Sequence, residues 1–176
     1  MVMLAEPILK AMDRVKELYD GEDELKVIFP SPKAPVLTQE TSSRLSKSEG
    51  VVFICGHYKG VDERVRDSVV TDEISIGDYV VTGGELPSMV ILDSVVRLIS
   101  GVLGDEESAK TDSFTHELLD HPHYTRPEEV KGMKVPDVLL SGHHANIDAW
   151  RQDQRERTTQ KNRPDLWKRY KEELLK

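Results

Sequence analysis

The sequence predicts an α/β fold with a mainly parallel sheet, followed by a small, mostly helical carboxyl-terminal domain. Short apolar runs that suit buried strands alternate with segments of helical spacing through the first half of the chain. Three of these runs, ending at Phe29, Cys55 and Thr82, are followed directly by a proline or a glycine. The later part of the chain contains helical patterns separated by prolines.

Local signals set the order of the elements. Leu4, Ile8 and Val15 lie on one face of a first helix, which Asp20-Gly21 ends. Thr38 is a candidate cap for the second helix. The predicted helices are Met1–Tyr19, Thr38–Ser48, Asp62–Asp67, Glu85–Ile99, His144–Arg157 and Asp165–Lys176, and the predicted strands are Lys26–Phe29, Val51–Cys55, Ser68–Ile74 and Tyr79–Thr82.

Residues 101–113 are polar and predict a linker, and residues 118–127 contain two prolines and predict an irregular surface segment. The predicted organisation is therefore a domain over 1–103, a linker over 104–117 and a helical domain over 118–176.

Composition indicates a soluble cytoplasmic protein. No apolar run approaches the roughly 20 residues that a transmembrane helix needs, and no signal-peptide pattern opens the chain. The single cysteine, Cys55, excludes an internal disulfide and suits a small core residue. The formal net charge of −8 argues against a simple nucleic-acid coat protein.

Positive charge is concentrated late in the chain. From His121 onwards there are 12 basic and 9 acidic residues, whereas the first 120 residues hold 12 and 23. This pattern fits a phosphate-binding surface or, equally well, a solvated helix face of mixed charge. The candidate RNA-binding residues are Arg151, Arg155, Arg157, Lys161 and Arg163.

The histidines predict no protein-ligated metal site. Their spacings lack the helical HExxH pattern and any recognisable carboxylate–histidine rhythm. A nucleophilic pair of Cys55 and His57 is also disfavoured, because the sequence offers no evident acid to orient the histidine.

Gly83-Gly84 joins a predicted strand to a predicted helix. Such a turn exposes backbone groups at the carboxyl end of a strand, where ligands often bind in open α/β sheets. A cofactor loop and an ordinary turn both fit the glycine pair alone.

Four motifs together carry more information than any one of them. They are CGHYKGVDER (Cys55–Arg64), SIGDYVVTGGELP (Ser75–Pro87), TDSF (Thr111–Phe114) and DHPHYTRP (Asp120–Pro127). In this order they resemble the bacterial tRNA (guanine-N1)-methyltransferase family of the SPOUT class, over essentially the whole chain. The resemblance implies a SPOUT fold with a trefoil-knotted cofactor site, S-adenosylmethionine as cofactor, and N1 of guanosine 37 of tRNA as methyl acceptor.

The resemblance also implies roles for individual residues. Asp112 matches the catalytic aspartate, and Arg97 matches the arginine that assists at the guanine. The family builds each site between two subunits, which implies a homodimer. Mg²⁺ is a candidate helper ion without a protein-only site. The implied cofactor-binding residues are Pro32, Gly56, Tyr58, Ser75, Ile76, Gly77, Tyr79, Val81, Gly83, Gly84 and Pro87.

Two departures from the family accompany the resemblance. Lys59 stands where the family often has an acidic residue, so no catalytic role passes to it. The family also has a segment ahead of the position of Met1, so a shortened chain is expected.

A non-catalytic RNA-binding module that keeps the fold is the main alternative to this function. A phosphate-binding enzyme of another α/β class is disfavoured, because GxxxxGK[ST] and a GxGxxG after the first strand are both missing.

Overall fold

The computed structural model describes residues 1–21, 23–102 and 112–175. Contacts within the chain divide it into two compact units, Met1–Gly104 and Asp105–Lys176. The elements of unit 1 are α1 (Ala5–Leu18), β1 (Lys26–Pro30), α2 (Gln39–Leu45), β2 (Val51–Phe53), α3 (Glu63–Val69), β3 (Asp72–Ile74) and α4 (Glu85–Val96).

Unit 1 contains a parallel sheet in the order β2-β1-β3, which confirms the predicted α/β class. The central strand β1 is covered on both faces, as its continuous apolar run predicts. Val27 and Phe29 belong to one buried cluster that includes Met12 of α1 and Val65 of α3. The intervening Ile28 belongs to a second cluster, formed with Leu45 of α2, Ile74 of β3, and Ile91 and Val95 of α4.

The helices begin where the local signals predict. Thr38 caps α2, and its side-chain oxygen accepts a hydrogen bond from the Thr41 N–H at 3.2 Å. Asp62 caps α3, where hydrogen bonds from the Arg64 guanidinium and then from the Arg64 N–H lower the pKa of the carboxyl group from 3.8 to about 2. These caps fix the points at which α2 and α3 leave the preceding loops.

One strand prediction is wrong, and another begins too early. Residues 79–82 form an exposed loop and pair with no strand in the described part of the chain, and the Val80 side chain is 83% exposed. A preference for strands is a preference for a half-buried pleated surface, and these residues lack such a surface here. Ser68 and Val69 belong to α3, so the strand predicted over Ser68–Ile74 is reduced to β3.

Unit 2 is mostly helical. After a 3₁₀ turn (Thr115–Glu117), residues 118–128 run irregularly, as predicted. A short antiparallel pair, β4 (Glu129–Val130) and β5 (Met133–Lys134), precedes α5 (Asp137–Leu140), α6 (His144–Asn162) and α7 (Pro164–Glu173). Residues 103–111 of the predicted linker region lie outside the described residues.

Among the described helices, none has both the length and the apolar character needed to cross a membrane.

Candidate active site

The carboxyl ends of the three parallel strands surround one cavity of about 350 Å³, which we call the strand-end cavity. The loops after β1, β2 and β3 line it, together with the loop that leads into α4. All eleven predicted cofactor-binding residues lie on its wall: Pro32, Gly56, Tyr58, Ser75, Ile76, Gly77, Tyr79, Val81, Gly83, Gly84 and Pro87. Residues that are far apart in the sequence are thus brought to one place.

Direct backbone contact closes one side of the cavity. The Gly84 N–H donates a hydrogen bond to the Gly56 carbonyl oxygen at 2.8 Å, and His57 and Gly83 form an isolated antiparallel bridge. A Cβ atom on Gly84 would lie 2.7 Å from the Gly56 nitrogen and 2.8 Å from the Cys55 Cα. Only glycine fits here without moving the backbone, which explains the second glycine of the pair.

Hydrogen bonds also hold the loops after β1 and β3. The Ser31 N–H donates to the Ile74 carbonyl oxygen at 3.0 Å, which ties the two strand ends together. Ser75 is 2% exposed, and its hydroxyl lies 3.1 Å from both the nitrogen and the carbonyl oxygen of Gly77. Gly77 has a φ of 141°, which favours glycine. The wall therefore has a fixed backbone shape before any ligand binds.

A histidine–glutamate pair lies where the cavity wall meets α4. The His57 Nε2 and the Glu85 Oε1 are 2.5 Å apart, and both side chains are about half exposed. A hydrogen bond from its own backbone N–H, followed by the one from His57, lowers the pKa of Glu85. Cys55 instead contacts the Ser88 hydroxyl at 3.3 Å, so Cys55 and His57 have different partners. Sequence reasoning missed the pair, because 28 residues separate its members.

Arg66 is a second wall residue that sequence reasoning missed. Its guanidinium forms hydrogen bonds to both carboxylate oxygens of Glu73, at 2.6 and 2.7 Å, and to Glu63 at 2.8 Å. These contacts raise the pKa of Arg66 above its usual value, and the hydrogen bond to Glu73 has the largest effect. The guanidinium also lies over the Phe29 ring, 5.9 Å from its centroid. A charged side chain at the cavity is thus locked in one orientation.

The two predicted catalytic residues lie in different units. Arg97 is the C-cap residue of α4 in unit 1, and Asp112 precedes the 3₁₀ turn of unit 2. Both side chains are half-buried, and neither residue lines the strand-end cavity. Their predicted catalytic roles therefore remain predictions.

The predicted RNA-binding cations of unit 2 do not form one surface. Arg151 and Arg155 are four residues apart and share one side of α6, and Arg157 and Lys161 share another side in the same way. The second pair follows the first by six residues, or about one and two-thirds turns, so the two pairs point in different directions. The four arginines each pair with a carboxylate: Arg151 with Asp148, Arg155 with Asp120, Arg157 with Asp153, and Arg163 with Asp165. The Arg155 side chain is only 16% exposed, which limits its use as a phosphate contact.

Unit 2 has a cavity of its own, of about 740 Å³, which we call the unit 2 groove. Arg126, Arg151, Tyr124 and Trp150 are among its lining residues. The Tyr124 and Trp150 rings lie 6.4 Å apart and are tilted by 55°. Cations beside exposed aromatic faces are typical of surfaces that bind single-stranded nucleotides. Of these four residues, only Arg151 is among the RNA-binding residues predicted from the sequence.

Comparison with known proteins gives consistent matches. The family model described as "tRNA (Guanine-1)-methyltransferase TrmD" matches residues 1–169. A protein of Shouchella clausii, named tRNA (guanine-N(1)-)-methyltransferase, is 54% identical over 170 residues, which cover 97% of this chain and 68% of that protein. Proteins with the same name from Oceanobacillus iheyensis and Listeria monocytogenes are 54% and 51% identical, over 94% and 97% of this chain and 67% and 69% of their own lengths.

Proposed function

The chain belongs to the tRNA (guanine-1)-methyltransferase TrmD family, and from this we propose that the strand-end cavity binds S-adenosylmethionine. The activity of the family, and of this chain, is methylation of guanine at N1 in tRNA. The observation that supports the cofactor assignment is the convergence of the eleven predicted cofactor-binding residues, ten of them from two motifs, on one cavity. A volume of about 350 Å³ lies within the usual range for ligand sites. Glycines and hydrogen-bonded backbone form part of the wall, which suits recognition of a nucleoside through main-chain groups.

When bound, S-adenosylmethionine would supply a methyl group from its positively charged sulfur, with the C–S bond breaking and the neutral thioether S-adenosylhomocysteine leaving. N1 of guanine carries a proton at neutral pH, so methylation requires a group that accepts this proton as the new N–C bond forms. We assign this role to the Asp112 carboxylate. Negative charge develops on the guanine ring as N1 loses its proton, and we assign its stabilisation to the Arg97 guanidinium.

We propose guanosine 37 of tRNA as the target. The test is transfer of labelled methyl groups to two tRNA transcripts that differ only at position 37, one with guanosine and one with adenosine. Label is expected in the guanosine transcript and, after digestion, in 1-methylguanosine. Equal labelling of both transcripts would contradict the choice of position, and no heat on titration with S-adenosylmethionine would contradict the cofactor site.

Family membership implies a SPOUT fold, and we further propose the trefoil knot and a homodimer with sites between subunits. Exposed apolar side chains on α4, including Leu86, Met89 and Val90, support a partner surface, because contiguous apolar surface in water is usually covered. Sedimentation analysis that finds only monomers would contradict the dimer. An experimental structure with an unknotted path around the cavity would contradict the knot.

We also propose a cytoplasmic location, because tRNA is the substrate, and cell fractionation tests it.

We propose that the unit 2 groove contacts tRNA, with Arg126 and Arg151 binding phosphates and Tyr124 and Trp150 stacking on bases. Each phosphate contact contributes about −0.7 to −0.9 to the slope of log affinity against log salt. Replacing Arg126 and Arg151 with Ala should therefore flatten that slope by about 1.4 to 1.8 and weaken tRNA binding. The methylated base should not change, because phosphate contacts position the substrate and do not specify it.

Filter-binding titrations across a range of salt concentrations measure these slopes. Lys168→Ala is the matched control, since it removes an exposed cation from α7 outside the groove. A slope in the double variant equal to that of the parent chain would mean that the two arginines belong to an ordinary solvated surface.

A further inference from the structure

Asp120, His121 and His123 of unit 2 bring three potential metal ligands together. One ligand atom from each residue lies within 4.8 Å of the other two. The three residues belong to the irregular segment after the 3₁₀ turn, where Pro122 interrupts regular structure between the two histidines. Sequence spacing alone predicted no protein-ligated metal site, because irregular backbone has no fixed periodicity from which ligands can be recognised.

His121 is held in an orientation that suits metal binding. Its Nδ1 lies 3.1 Å from the Pro122 carbonyl oxygen, which can only accept a hydrogen bond, so Nδ1 carries the proton. The neutral ring then has a free lone pair on Nε2, which lies 3.8 Å from the Asp120 Oδ1. Metal-binding histidines usually donate their second ring N–H to a carbonyl or a carboxylate in this way. The side chain is 12% exposed, so its surroundings limit reorientation.

His123 lies on the open side of the cluster. Its Nε2 donates a hydrogen bond to the Asp120 Oδ2 at 2.8 Å, and a bound cation would replace this proton. The two imidazole rings have centroids 4.4 Å apart. Ligand atoms on one tetrahedral Zn²⁺ are about 3.3 Å apart. The His123 side chain is 69% exposed, so it has room for the small rotation that closes the set around an ion.

Asp120 is anchored from several directions. Its Oδ1 accepts hydrogen bonds from the His121 N–H at 2.7 Å and from the Arg155 guanidinium at 3.2 Å, and its own N–H donates to the Ser113 hydroxyl at 3.0 Å. The hydrogen bonds from His121 and Arg155 both fall on Oδ1, whereas Oδ2 accepts the one from His123, which a bound cation would replace.

We propose that Asp120, His121 and His123 form a binding site for a divalent transition-metal cation, with Zn²⁺ as the best match. Two imidazole nitrogens and one carboxylate oxygen suit Zn²⁺, whereas Mg²⁺ and Ca²⁺ prefer sites made of oxygen ligands. Water completes the coordination. The ion links both histidines to the carboxylate that Arg155 of α6 also binds, and so stabilises the irregular segment on that helix. The proposal is independent of methyl transfer.

Calorimetric titration of the full, tag-free chain with ZnCl₂ tests this proposal. One Zn²⁺ per chain is expected for the parent. His123→Ala should lose this binding at concentrations that saturate the parent. The His123 side chain is exposed, so its removal should leave the fold intact. His144→Ala is the matched control, because His144 is an exposed histidine at the start of α6 outside the cluster. It should bind Zn²⁺ as the parent does.

Thermal unfolding gives a second readout. Zn²⁺ should raise the unfolding midpoint of unit 2 in the parent and in His144→Ala, because a ligand that binds only the folded state stabilises it. It should not do so in His123→Ala or in Asp120→Asn. The proposal is overturned if the parent binds no Zn²⁺, if His123→Ala binds it with unchanged stoichiometry and affinity, or if equimolar Mg²⁺ displaces it.

Discussion

Replacement of Asp112 with Asn is expected to lower the rate of methyl transfer by roughly 10²–10⁴-fold, the usual range for loss of a general base. The amide has almost the same size as the carboxylate but cannot accept the N1 proton of guanine. Asp112 is half-buried, and the segment that follows it is ordered by two hydrogen bonds, from the Asp120 N–H to the Ser113 hydroxyl and from the Phe114 N–H to the Leu118 carbonyl oxygen. The substitution should therefore leave the local fold intact.

Single-turnover transfer at saturating S-adenosylmethionine isolates the chemical step, and calorimetry measures cofactor affinity separately. Affinity for the cofactor should be nearly unchanged, because Asp112 does not line the strand-end cavity. Asp137→Asn is the matched control, since it makes the same chemical change at an exposed position of unit 2 and should retain the parent rate. An unchanged rate in Asp112→Asn, or a loss that weaker cofactor binding explains completely, would remove Asp112 from the mechanism.

Gly84→Ala is expected to weaken S-adenosylmethionine binding by about ten- to a hundredfold. The added Cβ would lie 2.7 Å from the Gly56 nitrogen and 2.8 Å from the Cys55 Cα, and backbone atoms cannot move aside as a side chain can. Overpacking of this kind costs about 1–3 kcal/mol, and each 1.4 kcal/mol is a tenfold change in affinity if the cost falls on binding. Because the same backbone forms the cavity wall, the fold of the wall and cofactor binding should be affected together.

Gly83→Ala provides the comparison for Gly84→Ala. A Cβ at position 83 would meet the ends of the Glu85 and His57 side chains, which are half exposed and can rotate away. Calorimetry should therefore show a much smaller loss of affinity, with a smaller change in unfolding temperature. Equal losses in the two variants would mean that glycine flexibility, and not the contact with Gly56, is required. Unchanged binding in Gly84→Ala would move the cofactor site away from this wall.

The elements that sequence reasoning predicted well depend on nearby residues. Thr38 caps α2 through a contact only three residues away, and the helix after Gly84 begins at Glu85, within the predicted range. The strand β1 was recognisable because every residue from Val27 to Phe29 is apolar, as a strand covered on both faces requires. The motifs also identified the family, and the eleven cofactor-binding residues that the resemblance implies all line the strand-end cavity.

The misplaced strand at Tyr79–Thr82 shows where local reasoning ends. Its residues favour strands, but a strand also needs a neighbour to supply hydrogen bonds and cover, and that depends on distant segments. The same limit applies to the ion pairs of His57 with Glu85 and of Arg155 with Asp120, whose members lie 28 and 35 residues apart.

The sequence by itself thus determined the α/β class, the caps, the glycine turns and the family, because each depends on neighbouring residues or on an ordered set of motifs. Only the tertiary structure decided which side chains meet. It brought three strand ends and α4 to one cavity, fitted Gly84 against the Gly56 backbone, and divided the late arginines between two sides of α6. Contacts between distant residues are set by how the sheet and helices pack, and no local pattern specifies that packing in advance.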